Sequence, residues 1–99
     1  MENRMRVNLK ILGLPTLSRV VGKKELDVNF EGTTVNDLID HIVKRYGRKA
    51  EEALLDEKGK LDVTIQVLLN GREWIPHDRL DTVLKDGDSV ALMLMIAGG

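Results

Sequence analysis

Apolar positions along the chain change their spacing several times, and each change marks an element. In "MRVNLKIL" Val7, Leu9 and Ile11 alternate with Arg6, Asn8 and Lys10. A period of two is the signature of a half-buried strand. "GLPTLSRVVGKK" carries Gly, Pro and Ser and reads as a loop. Alternation returns in "ELDVNF", with Leu26, Val28 and Phe30 inward. After "EGTT" the period lengthens: Val35, Leu38, Ile39, Ile42, Val43 and Tyr46 fall on one helical stripe. Thr34 suits the N-cap with Asp37 as its capping-box partner, Lys44 and Arg45 suit the last turn, and Gly47 the position beyond it. "RKAEEALLD" predicts a second, short helix with Ala50, Ala53 and Leu54 inward. "VTIQVLLN" predicts a strand with Val63, Ile65, Val67 and Leu69 on one face and Thr64, Gln66 and Leu68 on the other. Asn70-Gly71 is a hairpin signal, "REWI" a short return strand ended by Pro76, and "HDRLDTVLKDGD" a loop with a helical turn. The closing strand is "SVALMLMI". No internal repeat, low-complexity segment or linker interrupts this order of strand, strand, helix, strand, strand, strand.

Composition narrows the class. A length of 99 residues suits one domain, 1–99, with residues 97–99 expected to form a flexible tail. With 42% hydrophobic residues but one Phe, one Tyr and one Trp, the core must be built from Leu, Ile and Val. A formal net charge of -1 makes no electrostatic case for nucleic acid or an anionic membrane as partner. The alternating N-terminus lacks a signal peptide's apolar core, and no stretch approaches the roughly 18 apolar residues of a membrane span. There is no cysteine, hence no disulfide and no cysteine nucleophile or metal ligand on this chain. A cytoplasmic protein is expected. His41 and His77 are too isolated to suggest a metal site, Asp86 and Asp88 fit a turn around Gly87, and the run "KRYGRK" fits a helix end.

The order of elements is that of the β-grasp fold, an α+β layout in which a mixed five-stranded sheet packs on one main helix. "TTVNDLIDHIVKRYG", "VLLNGREW" and above all "LKDGDSVALMLMIAGG" resemble the helix, the third strand with its turn, and the closing strand and tail of the ubiquitin-like sulfur carriers, the MoaD/ThiS family. Length and the segment Arg48 to Lys60 are more similar to the molybdopterin synthase small subunit than to the shorter thiamine-pathway carriers. The resemblance implies a sulfur carrier for molybdenum or tungsten cofactor biosynthesis, acting as substrate of other proteins and not as an enzyme. It implies three partners: an adenylating enzyme that uses ATP, a sulfurtransferase, and the synthase large subunit. No cofactor or metal is expected on the chain itself. The same chemistry serves a protein modifier joined through Gly99 to lysines, and carriers for thiamine or tRNA thiolation.

That chemistry centres on "AGG". A terminal carboxylate, with a pKa of about 3.5, is ionised at neutral pH and is a poor electrophile. Activation as an acyl-adenylate makes it reactive, and a sulfur nucleophile then leaves a thiocarboxylate. Gly99 is expected to carry the reacting group, and Gly98, without a Cβ, to let the backbone enter a narrow site. Val90, Leu92, Leu94 and Ile96 alternate with Ala91, Met93 and Met95. One set faces the core. The other is expected, with Leu68, to form an apolar patch on the open side of the sheet that leads to Ile96, Ala97 and the glycines. Methionine, unbranched and soft, suits a surface that must fit more than one partner.

Overall fold

The structure, a computed structural model, describes residues 4–94. Its elements are β1 (Arg4–Leu12), α1 (Pro15–Val21), β2 (Glu25–Glu31), α2 (Val35–Tyr46), α3 (Arg48–Leu54), β3 (Ile65–Leu69), β4 (Glu73–Ile75), a 3-10 turn at His77–Arg79, and β5 (Ser89–Leu94). The strands lie in the order β2-β1-β5-β3-β4. β1 and β5 run parallel and every other pairing is antiparallel. This is the mixed five-stranded sheet of a β-grasp, with three helices on one side.

Alternation along each strand sorts the side chains. Val7, Leu9 and Ile11 of β1, Ile65 and Val67 of β3, and Val90 and Leu92 of β5 are buried under the helical stripe Val35, Leu38, Ile39 and Ile42. Each fully buried Leu, Ile or Val contributes roughly 1.5–3 kcal/mol, so the inner face of the sheet and this stripe carry most of the stability. α2 forms where the 3.6-residue period predicts it.

Helix α2 also settles all its early backbone donors. Asp37 Oδ2 accepts from the N–H of Thr33 at 2.9 Å and of Thr34 at 3.1 Å, and Thr34 Oγ1 accepts from the Asp37 N–H at 3.1 Å, a complete capping box. Val35 N–H donates to the Thr82 carbonyl and Asn36 N–H to that of Leu80, so the loop before β5 closes over the helix start. Gly32, at φ +144°, makes room: a Cβ there would stand 2.5 Å from that of Asp37.

The segment expected to be a loop, "GLPTLSRVVGKK", contains α1. Pro15 occupies the first turn, Gly22 ends the helix at φ 88°, and Leu14, Leu17 and Val21 form an inward stripe with Leu17 fully buried. Two helical turns between a Pro and a Gly show too little periodicity to outweigh those loop signals, and packing decides. Val63, expected to face inward, is 74% exposed. The strand starts only at Ile65, because Asp62 accepts from the backbone and hydroxyl of Thr64 and holds residues 62–64 in a turn. Leu94, on the inward phase of β5, is 38% exposed where the strand leaves the core.

The hydrogen bond from Thr33 N–H, followed by those from the Thr34 backbone and hydroxyl, holds the Asp37 carboxyl below its usual range despite partial burial. A depressed pKa means that the ionised form stabilises the fold above the ordinary value of 3.8, and that this contribution fades as pH falls below it. Asp37→Ala should therefore cost about 1 kcal/mol at neutral pH and clearly less in strong acid. Urea midpoints of parent and variant at the two pH values measure this; an equal gap at both would show that the carboxylate charge is irrelevant.

Candidate functional site

Strand β5 enters the sheet through a polar clamp. Asn70, the one non-glycine residue with positive φ among those described (54°), turns its side chain onto the loop before β5. Its Oδ1 accepts from the Ser89 N–H at 2.8 Å and its Nδ2 donates to Asp88 Oδ1 at 3.1 Å. Asp88 Oδ2 accepts from the Lys85 N–H at 2.8 Å, and Asp86 Oδ1 from the Arg6 N–H at 2.7 Å. Of the two aspartates flanking Gly87, Asp88 thus closes the turn and Asp86 ties it to β1. Asn70 tolerates the left-handed conformation that this hairpin requires. The result is a single register for β5 against both neighbours, with Val90 and Leu92 in the core and Ala91 and Met93 on the far side.

That far side is divided. Over β2 and β1 it is charged: Arg6 Nη2 meets Asp27 Oδ2 at 2.8 Å, and Asn8 donates to Glu25 and Asp27. The hydrogen bond from Arg6, then that from Asn8, holds the Asp27 carboxyl below its usual range. Over β5, β3 and β4 it is apolar. Met93 lies beside Leu12, and Leu68 lies between Ala91 and Trp74. Leu12 is 42% and Trp74 51% exposed, while Leu68 and Met93 are half-buried. Lys10 and Gln66 border the band.

Leu68 and Met93 therefore share the open face as expected, one diagonal step apart. Met95, Ile96, Ala97, Gly98 and Gly99 lie outside the described residues. Sequence reasoning missed two members of the band. Leu12 carries the phase of Asn8 and Lys10, not that of Ile11, so its alternation already placed it outside. Trp74 stands opposite Leu68 because Leu69 pairs with Glu73 and three residues, 70–72, form the turn; the two-residue turn that Asn70-Gly71 suggests would put Glu73 there.

The histidines do not meet. His41 leans on Phe30 with ring centroids 6.1 Å apart, and its partial burial, followed by the charge of Arg45, lowers its pKa. His77 Nε2 donates to the Asp62 carbonyl at 3.1 Å. Among the described residues no three His, Cys, Asp or Glu side chains gather as a metal-holding group. No described helix is long and apolar enough to cross a membrane.

Comparison with known proteins places these features in a family. The ThiS family model matches residues 15–99. A protein of Haloferax volcanii named small archaeal modifier protein 3 is 31% identical over 94 residues, 94% of this chain and all of that one. An Archaeoglobus fulgidus protein named for a sulfur-carrier role is 30% identical over 79 residues, 80% of this chain and 89% of that one. The solved structure of a Pyrococcus furiosus protein named for subunit 1 of a molybdopterin converting factor superposes with a TM-score of 0.67 at 26% identity. That match covers 93% of this chain and 99% of the other.

The two sides of β5 should respond differently to substitution. Leu68→Asp combined with Met93→Asp should leave a folded monomer, because both side chains already reach water. Leu92→Ala should cost about 2–5 kcal/mol, because it opens a cavity in the core. Thermal melts with size-exclusion profiles compare them; unfolding of the double variant at ordinary temperature would mean that the band is core.

Proposed function

The chain belongs to the ThiS family, whose relatives here are named as sulfur carriers and small modifiers, and from this we propose that it carries sulfur on the carboxyl group of Gly99. The observation that carries the reading is the continuity of the apolar band with β5, the strand that leads directly into "MIAGG". A partner seated on Leu68 and Met93 would also meet Met95, Ile96 and Ala97 if they continue the strand, and would draw Gly98 and Gly99 into its own active site.

A carboxylate oxygen of Gly99 attacks the α-phosphorus of ATP on an adenylating enzyme, and pyrophosphate leaves. The terminal sulfur of a persulfide on a sulfurtransferase attacks the carbonyl carbon and AMP leaves; a second thiol then attacks the sulfurtransferase sulfur of the acyl disulfide, is oxidised with it to a disulfide, and releases the thiocarboxylate. The chain supplies the carboxyl group, the slender approach through Gly98 and the docking surface; ATP and the activating residues belong to the partner. In this reading the protein is a substrate and donor subunit, not an enzyme, and works in the cytoplasm. Its recipient is the large subunit of a molybdopterin synthase, supported by chain length, by the segment Arg48 to Lys60, and by the likeness to the Pyrococcus protein.

Intact mass after incubation with ATP, the cognate activating enzyme and a sulfur source tests the proposal. One oxygen should be exchanged for one sulfur, localised to Gly99; an unchanged mass with an active enzyme would reject it. The Haloferax relative favours a second reading, a modifier joined through Gly99 to lysines. An isopeptide-linked Gly99 in lysate supports that reading, and a thiocarboxylate without conjugates supports the first.

Two tail variants sharpen the test. Deleting Gly99, or adding a residue after it, should abolish activation with the melting temperature unchanged, because a shift of about 1 Å at a reacting centre costs on the order of 100-fold. Gly98→Val should likewise lose activation far more than stability, since a β-branched side chain both widens and stiffens the approach. Equal losses in melting and activation assays would make the tail a structural element.

A further inference from the structure

Strand β2 forms one edge of the sheet, and its outer side is not paired to another strand among the described residues. Its backbone phase follows from one bond. Ile11 N–H donates to the Lys24 carbonyl at 2.7 Å, and the register continues without a bulge through Leu9↔Leu26, Val7↔Val28 and Met5↔Phe30. In an antiparallel pair, alternate residues exchange both bonds with the partner strand. Leu26, Val28 and Phe30 therefore point their N–H and C=O groups at β1. Glu25, Asp27, Asn29 and Glu31 point theirs outward.

The side chains sort by the same alternation. Glu25, Asp27 and Glu31 stand exposed on the open face, a row of three carboxylates along the edge. On the opposite face, between β2 and α2, lie two hollows of about 390 and 210 Å³ that share Asn29 and His41 as lining. The first is polar, with Arg4, Glu31, Asp37, Asp40 and Lys44 around Phe30, and the second is the more apolar, with Leu26, Val28, Ile42 and Tyr46. Together they lie along residues 26–31 of the strand.

We propose that this edge binds an extended peptide segment of another protein, one in which basic and apolar residues alternate, as an added sheet strand. Its backbone would pair with the outward groups of Asp27 and Asn29. Its basic side chains would lie against Glu25, Asp27 and Glu31, and its apolar ones would enter the hollow beside His41 and Tyr46. β1 shows what β2 accepts. On the inner edge, Arg6 and Lys10 alternate with Val7 and Leu9, and Arg6 pairs with Asp27. A second copy of this chain is a poor occupant: antiparallel β2–β2 pairing sets acidic rows against each other, and like charges opposite one another destabilise a pair. This edge is separate from the apolar band over β5, β3 and β4, so the proposal stands or falls independently of the sulfur-carrier reading.

The test uses the full chain, isotope-labelled for amide spectra, and a capped peptide alternating lysine and valine. Resonances of residues 25–31 and 41–46 should move, and those of Leu68, Trp74 and Met93 should not. A peptide alternating glutamate and valine should bind at least about tenfold more weakly. Asn29→Pro deletes one outward N–H without breaking the β1 ladder, a substitution an edge strand tolerates, and should weaken binding by about tenfold. Glu25→Lys with Glu31→Lys should reverse the preference between the two peptides, a readout that does not depend on how well the proline variant folds. Absence of shifts along β2 at millimolar peptide, equal binding of both peptides, or shifts confined to the apolar band would overturn the proposal. The acidic row would then serve only to guard the edge against self-association.

Discussion

Everything else in the molecule depends on the parallel pairing of β1 with β5. These strands come from opposite ends of the described chain, with Asn8 and its partner Ser89 a sequence separation of 81 apart. Their contact puts β5 in the middle of the sheet, hydrogen-bonded on both sides, with Val90 and Leu92 wholly buried. β2 hangs on one flank of this pair, and the β3–β4 hairpin on the other. Helix α2 packs across the face that the pair creates. A one-residue slip of β5 would exchange Val90 and Leu92 with Ala91 and Met93, placing core residues in water. The clamp of Asn70, Asp88 and Ser89 acts at the one place where such a slip would begin.

The same register gives the outer face its two halves. Residues one step out of phase with the core become either an ion-paired surface over β1 and β2 or an apolar band over β5, β3 and β4. The division is a matter of charge placement and not of shape, because both halves belong to one continuous sheet. In the proposed function the apolar half receives the enzymes that act on Gly99. The charged half and its edge strand stay available for a different kind of contact.

Much of this was legible in the chain. The strands announced themselves by period two, α2 by its stripe and cap, and the hairpin by Asn70-Gly71, because in each case a local signal and the tertiary demand agree. The failures fall where they disagree. α1 has no side-chain cap and only two turns in which to show a period, so its Pro and Gly dominated the reading. Val63 fits the alternation of β3 but belongs to the Asp62 turn, whose hydrogen bonds to Thr64 stop the strand two residues short. The open-face site was visible as Leu68, which breaks the polar side of its strand, and Met93, which lies in a strand apolar on both faces. Leu12 and Trp74 needed a further step, from the phase of one strand to the register between strands. The hollows along β2 were not legible at all: they are shaped by the distance between a strand and a helix, which no local pattern encodes.

The central position of β5 also bears on how the molecule is made. A chain is synthesised from its N-terminus, and the pairs that β5 forms with β1 and β3 cannot exist until residues 89–94 have emerged. Pairings so distant in sequence are slow to close, because the loop entropy is lost before any contact is gained. Until then β1 has one open flank and the β3–β4 hairpin has no sheet to join, and an isolated two-stranded hairpin is at best marginally stable in water. The sheet is thus completed by the strand that adjoins the proposed reactive tail. A chain interrupted before that strand lacks every pairing that joins β1 to the β3–β4 hairpin, so in the proposed function the docking band and the reactive tail are completed together or not at all.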